Sequence, residues 1–342
     1  SIVDRSKCET YEEPALMYAI RNNNVELLKW LIELQFDIEA TDYSDSTPLI
    51  IAAERGATDC VRGLLEAGAD ASRRVDYDRT AIESAKNLEI IKMLVDAGED
   101  LNDINHEMQQ ILLGFSNDEN ISNISQEQYL KGKHRRFGKT NPEVMKVDFW
   151  EAMVRSGVSA WTARDTFNGT DNTEAVWCFQ RFGRTTTLLP DGRIIQIGGE
   201  HEDYYDVDFC IYNDIVVHQG NGKFTILGYP KHIFPPTDFH SATLVGKYIY
   251  IIGCAGYLDE RVYAETPVYR LHCHTFKIEK VETTGEKPGW ISRHKAFYQE
   301  PSQIYITGGK VCSKFGDTTD YVDSKNDYIL DLNNMHWRQV IK

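Results

Sequence analysis

The densest run of ionisable side chains in the sequence is Glu200-His201-Glu202-Asp203-Tyr204-Tyr205-Asp206-Val207-Asp208. A metal site would need ligands recurring on one face of an element, and this run has no H-E-x-x-H, paired C-x-x-C or EF-hand spacing. Its mixture of tyrosines and carboxylates suits recognition of lysine or arginine on another protein, because amphipathic aromatics anchor interfaces and acids set charge complementarity. His272 and His274 flank Cys273 at a turn between two strands, where alternation puts both rings on one face; two ligands alone make no metal site. Gly220-Asn221-Gly222 lies between strands with no helix to receive an anion, so it reads as a hairpin turn and not a phosphate loop. Cys178, Cys210 and Cys254 sit in apolar β contexts that point to packing, and no nucleophile motif surrounds them. No catalytic residue, metal or cofactor is therefore expected.

The elements that must position these residues come in two repeating arrays. In the first third, three segments align at a step of about 33 residues, the length typical of one helical repeat unit. They are Glu13-Pro-Ala-Leu-Met-Tyr-Ala-Ile with Val25-Glu-Leu-Leu-Lys-Trp-Leu-Ile, Thr47-Pro-Leu-Ile-Ile-Ala-Ala with Cys60-Val-Arg-Gly-Leu-Leu-Glu-Ala-Gly-Ala-Asp, and Thr80-Ala-Ile-Glu-Ser-Ala with Ile90-Ile-Lys-Met-Leu-Val-Asp-Ala-Gly. Their apolar positions recur at helical spacing, two short helices per unit. Thr47 is placed to cap the first helix of its unit, and Pro48 occupies the position where a missing N–H costs nothing. Gly68 and Gly98 follow the second helices, where a left-handed residue ends a helix without a Cβ clash. Ala52 and Ala53 leave room for a neighbouring unit.

These residues resemble the ankyrin repeat, whose T-P-L-H-x-A-A and L-L-x-x-G-A-D elements stand almost intact in the second unit. The family histidine is Ile50 here, the turn glycine is replaced by Asp45 and Asp78, and the third unit is a few residues short between its helices. Aspartate tolerates the positive φ that such turns need. A final helix over 104–115 would cap the open end of the stack. Residues 1–116 are accordingly read as an ankyrin domain. Residues 117–145, rich in Asn, Ser and Gln with a basic cluster at Lys131, Lys133, Arg135 and Arg136, have the composition of a solvated linker; the other reading is a docking element for the acidic ankyrin face.

From Phe182 the pattern turns to β, with aromatic and β-branched runs separated by Gly, Asp and Asn. Three strand pairs match, beginning at Arg184, His240 and His294, and the glycines 198, 253 and 308 that end them fall at equal steps of 55. After each pair come two further strands, and four strands per unit make one propeller blade. The glycines, the Tyr-x-Leu strands and the Gly-Glu-Lys-Pro-Gly-Trp stretch starting at Gly285 resemble kelch repeats. The resemblance implies a structural histidine before the second strand, a place filled by His240 and His294 and departed from at Arg184. Three blades fall short of the four or more that close a ring. Residues 146–181 would then supply a degenerate fourth blade or a helical plug, or the ring would close on a second chain as a homodimer; helix over Phe149–Val154 favours the plug. The fold class expected is α plus all-β: an ankyrin solenoid, then a small kelch-type β-propeller over 146–342.

The bulk numbers narrow the function. With 342 residues, 42% hydrophobic and 26% charged, the chain has the length of two domains and no apolar run long enough to span a membrane. The start lacks the signature of a secretory signal, and seven scattered cysteines suggest free thiols in a reducing cytoplasm. A net charge of −15 argues against nucleic acid and anionic lipid as partners. The acidity is uneven: residues 1–112 hold 23 acids against 11 bases, the remainder 29 against 26.

The leading expectation is a non-enzymatic protein that binds a basic protein. The surface would comprise the ankyrin hairpins (Asp42, Tyr43, Asp45, Asp76, Tyr77, Asp78) and the blade loops (Glu200, His201, Glu202, Asp203, Tyr204 and Tyr205, with Tyr257, Asp259 and Arg261). Its sharpest form is an acidic inhibitor or immunity-type protein. The alternatives are a kelch-type adaptor, for which no docking module is visible, and an enzyme with a site in the propeller loops.

Overall fold

The computed structural model describes residues 15–75, 79–115, 120–169, 174–201, 207–315 and 318–341. The chain divides into two compact units, Ser1–Ser116 and Asn117–Lys342.

In the first unit the helices α1 (Ala15–Arg21), α2 (Val25–Glu33), α3 (Pro48–Glu54), α4 (Thr58–Glu66), α5 (Ala81–Ser84), α6 (Leu88–Asp96) and α7 (His106–Leu113) follow one another. Thr47, Thr80, Asn24 and Asn87 each accept a hydrogen bond from a backbone N–H in the first turn of the helix they precede, so the orphan donors of four helix starts are satisfied by side chains the sequence places there. Gly68 (φ 88°) and Gly98 (φ 102°) are left-handed beyond α4 and α6, and Asp45 (φ 56°) takes the turn position as a non-glycine residue. Ala52 and Ala53 are fully buried between α3 and its neighbours. The third repeat is short as expected, its first helix reduced to the four residues of α5.

The second unit begins earlier than expected. Residues 120–145 are not a solvated linker: α8 (Gln126–Gly132) is held by a capping box between Ser125 and Gln128. Tyr129 stacks on Phe167 at 4.5 Å, and the Trp150 indole donates to the Gly132 carbonyl at 2.6 Å. Asn141 exchanges two hydrogen bonds with the backbone of Ile278, and Glu143–Val144 joins a sheet. The basic cluster is consumed inside this unit: Lys131 pairs with Glu127, Arg135 bonds the Ile211 carbonyl and the Tyr257 hydroxyl, and Arg136 lies over Trp150. A few deeply buried aromatics anchor a polar stretch that composition alone assigns to solvent. The expected helical element is present as α9 (Asp148–Ser156) and α10 (Ala160–Thr166). Among the described residues, 146–181 contributes no four-stranded sheet, so the degenerate-blade alternative is set aside.

Three sheets follow, each with four antiparallel strands that succeed one another along the chain; the first and third carry a fifth strand, Glu143–Val144 beside Phe224–Gly228 and Thr284–Gly285 parallel to His336–Val340. The first contains Thr185–Leu188, Ile194–Ile197, Ile215–His218 and Phe224–Gly228; the second Ser241–Val245, Tyr248–Ile252, Val268–His272 and Ile278–Lys280; the third Lys295–Gln299, Gln303–Thr307, Asp327–Asp331 and His336–Val340. A hairpin of Lys310–Phe315 and Thr318–Asp323 pairs with Trp290–Ser292. The second sheet packs one face on the first through Ile249, Ile251 and Leu271, and the other on the third through Tyr250, Ile252 and Val268. What stands in place of the expected closed propeller is a strand-rich unit of several sheets, none closed.

The 55-residue step has a mechanical cause. Gly199 N–H donates to the Thr237 carbonyl and Cys254 N–H to the Ile291 carbonyl, so the end of one strand pair is bonded to the lead-in of the next. A Cβ at Gly198 would lie 2.3 Å from the Thr237 oxygen, and one at Gly253 2.2 Å from the Ile291 oxygen. The histidines form a second tie: His240 Nε2 meets Thr185 Oγ1, and His294 Nε2 meets Ser241 Oγ, each at 2.8 Å. At the two ends of the array this pattern stops. Arg184 replaces the first histidine and bonds the Phe179 carbonyl, Lys295 stands where Thr185 and Ser241 receive a histidine, and a Cβ at Gly308 would meet nothing within 4 Å.

Two outcomes follow. Gly253→Ala should cost roughly 3 kcal/mol or more, since the clash is with backbone as well as with a left-handed φ, whereas Gly308→Ala should cost only the roughly 1–2 kcal/mol of a left-handed alanine; equal melting temperatures for the two variants would contradict the packing. Burial lowers the pKa of His240 to about 3 and of His294 to about 4. Both stay neutral in the fold while the unfolded chain takes up protons, so stability is complete above about pH 6.5 and falls by roughly 1.4 kcal/mol per pH unit for each histidine below it. Urea midpoints between pH 7.5 and 4.5 should therefore slope less in His294→Gln than in the parent.

Candidate functional site

The first candidate is the acidic loop between the second and third strands of the first sheet. Glu200 and His201 form a short strand paired with Cys210–Ile211, which brings His201 opposite Cys210. Glu202, Asp203, Tyr204 and Tyr205 lie outside the described residues. His201 is buried, and its Nδ1 lies 3.5 Å from Cys178 Sγ while its Nε2 lies 3.9 Å from Asp208 Oδ2, a carboxylate itself held by Arg164 at 2.6 Å. Thiol, imidazole and carboxylate thus stand in the order of nucleophile, base and orienter. Chemistry is opposed by the surroundings: Cys178 is 1% exposed, burial raises its pKa to about 11, and its thiol donates to the Gln180 carbonyl. The sequence gives no local motif for this line, because its members are 23 and 7 positions apart and meet only in the folded chain.

Beside it lies a buried ion pair. Arg181 grips both oxygens of Asp214, sits 3.6 Å from the Tyr212 ring centre, and shares Asp214 with the Trp177 indole N–H. Every charge and donor here is matched, which makes the group a scaffold for the loops. The carboxyl of Asp238 is likewise sequestered; burial raises its pKa, against the pull of the Gly256 N–H, a hydrogen bond with Glu200 and the charges of Arg261 and Arg293.

The loop between the second and third strands of the second sheet carries the next three candidates, and two of them face inward. The Tyr257 hydroxyl accepts from Ile211 N–H at 2.9 Å, and Arg261 donates to the carbonyls of Ala255 and Gly256 and lies over the Tyr321 ring. Asp259 is exposed in the turn Leu258–Glu260, between Leu258 at 52% and Val262 at 56% exposure. His272 accepts from the backbone N–H groups of His274 and Thr275, a turn role, and among the described residues no group of three or more His, Cys, Asp or Glu could hold a metal ion.

In the first unit, Asp42 shapes its own turn: its carboxylate accepts from the N–H groups of Ser44 and Ser46 and pairs with Arg21. Tyr43 is 97% exposed and Asp45 is exposed beside it. Asp76, Tyr77 and Asp78 lie outside the described residues, but the flanking Val75 and Arg79 bridge as a second hairpin would require. Arg62 and Arg74 are turned to Glu89 and Asp103 of the next repeat. Residues 16–105 match the family described as ankyrin repeats, in three copies. This segment is an ankyrin-repeat array.

Ankyrin repeats are a protein–protein interaction module, each unit adding a hairpin to the same side of the stack. Two comparisons accompany the family match. L-asparaginase of Dirofilaria immitis is 34% identical over 94 residues, 27% of this chain, and the chain spans only 16% of that protein's length. The crystal structure of the ankyrin repeat domain of Bcl-3, a unique member of the IkappaB protein family, is 27% identical over 28% of this chain and 41% of that one, with a TM-score of 0.26. Of the sequence-derived candidates, then, Tyr43, Asp45 and Asp259 are presented outward, while Asp42, His201, Tyr257 and Arg261 are committed to the fold.

The Cys178 thiol should resist iodoacetamide in the native protein at about pH 8, where an exposed cysteine reacts, and should react once urea unfolds the chain. Mass-spectrometric mapping of the labelled peptide decides it; native labelling at the rate of a free thiol would show an accessible nucleophile.

Proposed function

We propose that this chain acts without catalysis, by binding a basic protein along its ankyrin hairpins. The observation that carries this is the outward Tyr43 beside Asp45 on an array holding 23 acids against 11 bases in residues 1–112, with Arg21, Arg62 and Arg74 already paired to acids of the same array. An exposed aromatic ringed by acids offers both an anchor and a field that speeds capture of a cationic target. The sharper form of the reading is an acidic inhibitor or immunity-type protein that masks its partner. The second unit is read as three kelch-type blades, on the strength of the four-stranded sheets, the glycines at steps of 55 and the histidine ties. Its exposed loop at Leu258, Asp259 and Val262 adds a second surface. Pairing of two copies across the end of the array is not part of this reading, because Lys295 puts a cation on that edge, a known device against strand-edge association. A reducing, cytoplasmic setting suits the six described thiols, all buried and free.

One observation favours a second reading, an enzyme: the Cys178, His201 and Asp208 line. Native labelling of Cys178 would support it.

A basic partner captured at about 50 mM salt should be released substantially by about 300 mM, as screening shortens the reach of the acidic field. Tyr43→Ala should weaken that capture by roughly 1–2 kcal/mol, and Asp45→Lys should slow association more than it speeds dissociation. Retention indifferent to salt and to both substitutions would remove the hairpin face from the interface; a partner enzyme that keeps full activity in the complex would remove the inhibitor form.

A further inference from the structure

A cavity lies wholly in the second unit, at the end of the second sheet under the loop that carries Asp259. It encloses about 370 Å³. Small-molecule sites run from about 300 to 1,000 Å³, so this one lies at the small end of that range and suits a single amino acid or a molecule of that size. Its walls are Pro235, Pro267, Tyr269, Val281 and Trp290, with Thr237, Gly253 and Cys254 between them. The walls are therefore flat and apolar, the kind of surface against which an aromatic ring gains most.

The charges around the cavity are what select the ligand. Three glutamates and two lysines line it, and they are paired: Lys287 with Glu265, and Lys280 with Glu282 at 3.0 Å, while Glu260 is held by Lys231 at 2.5 Å. Lys287 is the more sheltered member, its side chain 18% exposed against 53% for its partner Glu265 and 59% for Lys280. An anion drawing Lys287 away from Glu265 gains one ion pair and loses one, and a cation at Glu265 does the same. A molecule bearing both charges gains more, because inserting it between Lys287 and Glu265 turns one ion pair into two.

We propose that this cavity binds a free aromatic amino acid as its zwitterion, with the carboxylate at Lys287, the ammonium at Glu265 and the ring among Pro235, Pro267, Tyr269 and Trp290. The site is separate from the ankyrin hairpins and from the Cys178 cluster, and it stands whether or not the chain binds a basic protein.

The test is calorimetric titration of the full chain with L-tryptophan, N-acetyl-tryptophan, tryptophanamide and N-acetyl-tryptophanamide, which carry both charges, one, the other and none. L-tryptophan should bind about tenfold or more tightly than each of the other three. Lys287→Met and Glu265→Gln should each weaken it about tenfold while leaving the thermal unfolding of the chain in place. Equal affinity for N-acetyl-tryptophanamide would overturn the proposal in favour of a slot for a side chain of a bound polypeptide. A preference for either singly charged derivative, or no heat from L-tryptophan up to about 10 mM, would overturn it outright.

Discussion

The second half of the molecule depends on how closely one sheet approaches the backbone leading into the next. At Gly198 and Gly253 the gap is smaller than a methyl group, and it is closed by the hydrogen bonds from Gly199 to Thr237 and from Cys254 to Ile291. A side chain at either glycine would push the sheets apart and with them the loops that each strand pair delivers. The histidine contacts then fix the rotation of one sheet against its neighbour, since a neutral imidazole must find Thr185 or Ser241 at hydrogen-bond distance in a buried setting. The loop that roofs the cavity and the short strand that carries His201 both hang from these joints.

How far the sequence could be read follows from this. A contact made again in each unit leaves a period, so the ankyrin units and the 55-residue step were legible from Thr47-Pro48, Gly68, Gly98 and the glycines 198, 253 and 308. Contacts made once leave none. Residues 120–145 looked like a connector because their composition is polar, yet Tyr129, Gly132 and Asn141 each make one decisive contact that no pattern announces. That several similar sheets follow one another was legible, but that none of them closes was not, because closure depends on what faces the outer sheets and not on what the repeats contain. The substitution of Arg184 and Lys295 at the two ends is the trace it left, visible only once their repeat-mates are known to be in contact.

Residue type was a weaker guide to the interface than to the fold. Asp42, Tyr257 and Arg261 have the chemistry of contact residues, and each was placed on a loop as expected. Each spends that chemistry locally: Asp42 on the amides of its own turn, Tyr257 on Ile211, Arg261 on two carbonyls. Loops that carry few ladder bonds must satisfy their backbone with side chains, and a long polar residue nearby is the cheapest donor or acceptor. Tyr43 and Asp45 escape this because the Asp42 carboxylate has already taken the neighbouring amides.

The same reasoning separates the two units electrically. In short helices stacked in one layer, most charged side chains reach water, so the excess of 23 acids over 11 bases in residues 1–112 becomes a surface field. In the sheet unit many of the charges never reach it. Arg181 and Asp214 neutralise each other in the interior, Arg164 is held by Asp208, and Arg135, Arg184 and Arg261 donate to backbone carbonyls. A near balance of acids and bases by count therefore reflects internal ties more than surface character. What such a unit presents outward is set by the few charges its loops leave over, and at the cavity beneath Asp259 those are lysine–glutamate pairs, which give a singly charged ligand no net ion pair and a molecule with both charges one more.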